Sequence, residues 1–341
     1  MKAIRIHAHG GVEQLRLDEL EAPKLGPYQL LVEVKAAALN RLDIFVRKGI
    51  PGVPLPVIMG ADAAGVVREI GSQVTRFKPG DRVLGQPGAG CGLCQQCKDG
   101  RENYCLKYGI AGEHFDGYQA ELIALDESMV FPMPSGISFE EGAAIPLVYL
   151  TAWEMLVNKA HVKPGDTVLV IAASSGVGSA AVEIAKLYGA RVIATAGTAK
   201  LEKAKALGAD AVLDHYKQDI AKEIKSLTAG RGVDIVIDHV GLATWQASLR
   251  SLAKGGQLIL CGSTSGPEVK LDLRFLFLRQ QSVIGSTMGR RGDLLHVLKH
   301  VEAGNLRGIV DKVFPFTEVA AAHAHLESGQ QFGKVVLRFE K

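Results

Sequence analysis

Thr167-Val168-Leu169-Val170-Ile171-Ala172 runs without a charge into Ala173-Ser174-Ser175-Gly176-Val177-Gly178. A continuous apolar run of this kind is expected of a strand buried on both faces. The glycine-rich turn behind it, followed by a helix over Ser179–Tyr188, places backbone N–H groups at a helix N-terminus, which is a site for pyrophosphate. The usual fingerprint is Gly-x-Gly-x-x-Gly. Here the matching positions are Ala173, Ser175 and Gly178, with Gly176 an extra glycine and Val177 beside it. Strand and helix patterns then alternate: Arg191–Ala196, Lys200–Leu207, Val212–Asp214, Ile220–Thr228, Val233–Asp238, Trp245–Leu252 and Gly256–Cys261, with Val283–Gly285 as the last strand. Repeated β-α units of this length predict a parallel, doubly wound sheet.

Upstream the pattern differs. Lys2–His7, Leu15–Glu19, Leu30–Ala38, Ala64–Ile70, Arg82–Leu84 and Tyr118–Ala124 read as short strands, with turns at Gly10-Gly11, Leu25-Gly26-Pro27 and Lys78-Pro79-Gly80-Asp81. After Met288 the chain is expected to return to this first domain through a helix at Asp293–Ala303, a helix over Glu318–Glu327 capped by Thr317, and a strand at Lys334–Phe339. The expected division is 1–148 with 288–341, and 149–287.

Four of the five cysteines fall at Cys91, Cys94, Cys97 and Cys105, spaced C-x2-C-x2-C-x7-C. Four thiolates on one lobe can close a tetrahedral shell around Zn²⁺, leaving no open position, so one structural zinc per chain is expected. In a chain of 341 residues this lobe, at about 88–108, resembles that of the medium-chain dehydrogenase/reductase superfamily. The resemblance covers the whole chain. It implies an α/β protein with a GroES-like β-barrel catalytic domain and a Rossmann doubly wound parallel-sheet cofactor domain. The turn at Ala173–Gly178 looks like that of the superfamily's zinc-free quinone reductases.

An acidic residue at the end of the second parallel strand binds the ribose of NAD. That position is Ala196, so nothing there repels a 2′-phosphate. Thr198 can donate a hydrogen bond and Lys200 can supply charge, which favours NADPH, with NADH as the alternative. By resemblance, His215 or Tyr216 lines the adenosine side, Thr151 lies beneath the nicotinamide, and His239, Val240, Gly262, Ser263, Ser286 and Thr287 stand at strand ends near it.

The superfamily's alcohol dehydrogenases hold a catalytic zinc. By motif, the ligand positions here are Asn40, Ala61 in Gly60-Ala61-Asp62, and Leu147. One amide and a neighbouring carboxylate do not make the three-ligand open site a catalytic zinc needs. Asn40 and Asp43 instead match the Asn-x-x-Asp of the zinc-free branch, where the amide donates to a carbonyl and the carboxylate orients it or relays a proton. A tyrosine common two residues further on is Phe45, and His114 and Tyr149 are other possible donors. Without a Lewis acid, hydride transfer favours quinones, enones and similar activated carbonyls. The alternatives are an alcohol dehydrogenase, or a non-catalytic NADPH-binding protein.

The composition is 47% hydrophobic, with 39 glycines and a formal net charge of +3. Interspersed charges of this balance do not call for nucleic acid. No apolar signal core opens the chain and no run reads as a membrane span. A cytoplasmic protein acting on a small-molecule substrate is expected, and the resemblance implies a homodimer or homotetramer.

Overall fold

The ten-residue strand Gln29–Ala38 is the centre of the first structural unit. The computed structural model describes residues 1–339, and the chain divides into residues 1–150 with those from Arg290 onward, and residues 151–289. Gln29–Ala38 is paired antiparallel with Asp62–Ile70, with Leu122–Asp126 and with the C-terminal strand Lys334–Arg338. Alternating apolar side chains from these strands, including Leu30, Val32, Val34, Val67, Ile123 and Leu337, fill one core. Register fixes which ends meet. Ala38 lies opposite Asp62 on one side and opposite Val336 on the other. Asn40, two residues beyond Ala38, is thereby flanked by the start of both neighbouring strands.

The second unit is a six-stranded parallel sheet. Numbered along the chain, its strands Thr167–Val170, Arg191–Ala196, Ala211–Asp214, Val233–Asp238, Leu252–Leu260 and Ser282–Gly285 stand in the order 3-2-1-4-5-6. This is the doubly wound order whose switch point lies between the first and fourth strands. The first strand is buried at all four positions, as its uncharged sequence requires.

Several expected boundaries shift. The helix expected from Ser179 begins at Gly176, because Ser175 serves as its cap. Strand pairing near Tyr118–Ala124 runs over Leu122–Asp126, with residue 120 making only an isolated bridge to Ala3. Thr317 lies inside a 3-10 turn, Phe316–Glu318, and caps nothing; the helix that follows is Val319–Glu327. The sequence reading also omits the helix Arg41–Lys48, which Asn40 and Asp43 open with a reciprocal capping box. Among the described residues no helix is long and apolar enough to cross a membrane.

Helix Val319–Glu327 buries His323 completely, and neither ring nitrogen has a partner among the described residues. Nearby Arg47, itself 1% exposed, pairs with Glu327 at 2.9 Å. Burial, with repulsion from Arg47, holds the His323 imidazole down to about 3. The unfolded chain therefore takes up a proton that the folded one refuses. Stability is full above the ordinary histidine value near 6.5 and falls by about 1.4 kcal/mol per pH unit below it. Urea melts at pH 7 and pH 5 should show His323→Leu losing about 2 kcal/mol less than the parent over that interval; equal losses would assign the acid sensitivity elsewhere.

Candidate functional site

Asn40 ends the central strand and opens the helix Arg41–Lys48, so its side chain is held from both directions. Its Nδ2 donates to Asp62 Oδ2 at 2.8 Å. Its Oδ1 accepts from the Lys334 ammonium, which also donates to Asp62 Oδ2 at 2.9 Å. The other Asp62 oxygen takes the Leu147 backbone N–H at 2.8 Å. Asn40, Asp62 and Lys334 are 6%, 0% and 3% exposed, so a closed ion pair and an amide share one dry site. Asn40 and Leu147, two of the positions aligned with zinc ligands, both converge on Asp62, next to the third position, Ala61.

Asp43 faces the same network. It accepts the Asn40 backbone N–H at 2.7 Å and a longer bond from Gln119 at 3.5 Å. Gln119 reaches it because residue 60 is glycine: a Cβ there would stand 2.5 Å from the Gln119 side chain, and φ is +94°. Burial lifts the Asp43 carboxyl to about 6, against the pull of the Asn40 amide and of Lys334. Of the two other donors named from sequence, the Tyr149 hydroxyl is engaged, while His114 is held only through its accepting nitrogen. Tyr149 donates its hydroxyl to the Arg307 carbonyl, and His114 Nδ1 accepts from the Ile110 N–H at 3.1 Å. Lys334 and Gln119 carry no sequence signal of their own, since each joins Asn40 or Asp43 only through strand pairing.

In the second unit Ser175 caps the helix that starts at Gly176, its Oγ accepting the Gly178 N–H at 2.9 Å. The first amides of a helix have no intrahelical acceptor and remain available to an anion. A Cβ on Gly178 would meet the Ala172 carbonyl oxygen at 2.3 Å, so only glycine lets the helix seat this closely on the strand. Ser175 Oγ also lies 2.8 Å from His239 Nε2, tying the turn to the loop after the fourth strand. That loop is shaped by Asp238, whose buried carboxylate accepts from Val240 N–H at 2.8 Å and from the Thr244 and Ser248 hydroxyls at 2.7 Å. Gly262 and Ser263 follow the fifth strand, and Ser286 and Thr287 follow the sixth. Ser286 Oγ is buried with no partner among the described residues, at the edge where dinucleotides bind in such sheets. Thr151 is 5% exposed in the helix Pro146–Trp153.

The adenosine end departs from the sequence expectation. Ala196 pairs in register with Asp214 of the third strand, which brings a carboxylate beside it. Asp214 Oδ2 accepts the Thr198 hydroxyl at 2.5 Å, so that proton is not available to a phosphate. Oδ1 accepts the Tyr216 N–H at 2.9 Å, and the His215 and Tyr216 rings meet edge-on at 4.4 Å. Burial lowers the His215 pKa, Asp214 opposing and Lys200 reinforcing the shift. Lys200 reaches Ser174 of the glycine-rich turn at 3.4 Å.

The four thiols Cys91, Cys94, Cys97 and Cys105 lie with their sulfurs within 4.8 Å of one another, and among the described residues no other group of three or more His, Cys, Asp or Glu gathers this way. A tetrahedral zinc with about 2.3 Å Zn–S bonds needs sulfurs about 3.8 Å apart, so the donor set fits. Backbone N–H groups point at the sulfurs, Cys94 to Cys91 at 3.4 Å and Lys107 to Cys105 at 3.3 Å. Such donors, from Leu93 and Cys94, draw the Cys91 thiol down to about 6, towards the thiolate that binds metal.

Comparison with known proteins agrees with this arrangement. Residues 26–135 match the alcohol dehydrogenase GroES-like domain, and residues 176–303 match the zinc-binding dehydrogenase family. A quinone oxidoreductase of Pongo abelii is 30% identical over 99% of this chain and 97% of its own length. The chain belongs to the medium-chain dehydrogenase/reductase superfamily. An acryloyl-coenzyme A reductase of Metallosphaera sedula is 31% identical over 99% of both chains. The crystal structure of an NAD-dependent alcohol dehydrogenase superposes over all of both chains with a TM-score of 0.97 at 47% identity. The protein is thus an NAD(P)H-dependent oxidoreductase of this superfamily with a zinc-binding cysteine cluster.

Elemental analysis of the purified protein should give one zinc per chain and Cys97→Ser none, with a lower Tm and new proteolysis between Gly88 and Tyr108. Retention of zinc by that variant would place the metal elsewhere.

Proposed function

We propose that the chain is an NADPH-dependent reductase of enones, quinones and similar activated carbonyls, working without a catalytic zinc. The observation that carries this reading is the closed Asn40–Asp62–Lys334 network. A lysine ammonium stands against the one carboxylate that the aligned ligand region retains, and one amide N–H of Asn40 and the backbone N–H of Leu147 are given to that same carboxylate. Such a set lacks three free donors for a metal. When bound, the nicotinamide supplies a hydride. An enone takes this hydride at its β carbon and a proton at its α carbon, two electrons in all. The amide N–H of Asn40 not given to Asp62 can donate to the carbonyl oxygen, where negative charge grows. Asp43, with a pKa near 6, is suited to take up or release a proton through the network close to neutral pH.

Lys200 supports the choice of NADPH. It places a cation against the glycine-rich turn, and the small Ala196 leaves room at the ribose. Thr198 drops out of this assignment because its hydroxyl is bonded to Asp214. A second reading, alcohol oxidation with NAD⁺, is favoured by the likeness to the NAD-dependent alcohol dehydrogenase at 47% identity. Steady-state assays separate the two. Purified protein should reduce quinones or cyclic enones with NADPH and leave simple alcohols untouched, and Lys200→Ala should weaken NADPH about tenfold with NADH unchanged. Oxidation of simple alcohols with NAD⁺ and a second zinc per chain would establish the other reading.

For its partner we propose a second copy of the chain. The helix Leu273–Arg279 buries none of its residues, and Leu273, Phe277 and Leu278 are 64%, 65% and 64% exposed. It precedes the strand Ser282–Gly285, which is an edge of the parallel sheet with its outer backbone groups open to another strand. Light scattering should give at least twice the chain mass, and Phe277→Glu should reduce it. A monomeric parent protein would refute the assignment.

A further inference from the structure

We propose that Lys334 polarises Asn40, so that a neutral amide bonded to a buried ammonium becomes the electrophilic group of the site. This rests on the reductase reading and names the residue that makes it workable. Lysine can only donate and a carboxylate can only accept, so their positions dictate the amide's orientation: Oδ1 faces Lys334 and Nδ2 faces Asp62. A planar amide held at both ends cannot rotate. Its second N–H then points in one fixed direction. A carbonyl oxygen that accepts from a cation draws electron density from nitrogen, which makes the remaining N–H a stronger donor. Burial at 6% and 3% exposure keeps water from screening the effect.

The charges balance within the network. Asp62, 0% exposed, neutralises Lys334 and is itself satisfied by the Leu147 N–H and the Asn40 amide. Asp43 is the further carboxylate that feels both: Lys334 lowers its pKa and Asp62 raises it. Lys334 does not touch the acceptor in this scheme. It is a positioning residue, delivered by the C-terminal strand to a side chain 294 positions earlier.

The test uses the zinc-loaded enzyme, Lys334→Met, and the double variant Asp62→Asn/Lys334→Met. The double variant removes both charges together and so keeps the site neutral and folded. The probe is carbonyl-labelled 2-cyclohexen-1-one bound with NADP⁺, read by isotope-edited infrared spectroscopy, alongside kcat with NADPH. In the parent enzyme the carbonyl stretch should move to lower frequency. In the double variant this shift should vanish and kcat fall about ten- to a hundredfold, with Tm, zinc content and the Kd for NADPH retained. Lys334→Arg should restore part of the shift. A double variant that keeps both the carbonyl shift and kcat overturns the role of Lys334 while leaving the reductase reading intact. Absence of both binding and turnover of enones and quinones in the parent enzyme overturns that reading, and this inference with it.

Discussion

A carboxylate with no exposed surface must be compensated or protonated, and the first unit is built around how Asp62 meets that requirement. Its oxygens receive a lysine ammonium, a side-chain amide and a main-chain N–H. Each donor comes from a different part of the chain: Lys334 from the strand paired with Gln29–Ala38, Asn40 from the segment that follows that strand, and Leu147 from the helix Pro146–Trp153. Removing any one leaves buried charge or an orphaned donor, which costs more than an exposed bond is worth. The network is therefore a packing constraint as much as a chemical one, and it sets the electrostatic surroundings of Asp43.

The second unit solves a different problem with hydroxyls, helix amides and one buried carboxylate. Ser175 turns one oxygen toward the helix it caps and toward His239, so the glycine-rich turn and the next loop are held as one surface. Asp238 performs the same office behind it, collecting an amide and two hydroxyls. The helix there presents its first amides, and Lys200 adds a cation beside the turn.

How much of this was legible from residues alone follows the range of the signals. The parallel sheet announced itself through uncharged runs and β-α spacing, and the zinc lobe through cysteine intervals, because both are written within a few tens of residues. The helix Arg41–Lys48 is hard to read from sequence because the Asn40 and Asp43 spacing serves equally as a chemical motif and as a helix cap. Lys334 was out of reach because its meaning depends on antiparallel register with a strand three hundred positions away. Asp214 was overlooked for a similar reason: it neighbours Ala196 across two strands, and only that adjacency shows that Thr198 is already engaged.

The C-terminal strand has a consequence for biosynthesis. Ribosomes deliver Asn40 and Asp62 early, and the cation that quiets them emerges among the last residues of the described chain. Until then Asp62 lacks the cation that pairs with it, whereas every strand of the intervening Rossmann unit has already been made. Closure of the first unit around Asp62 thus waits on an amino group 272 positions further along the chain.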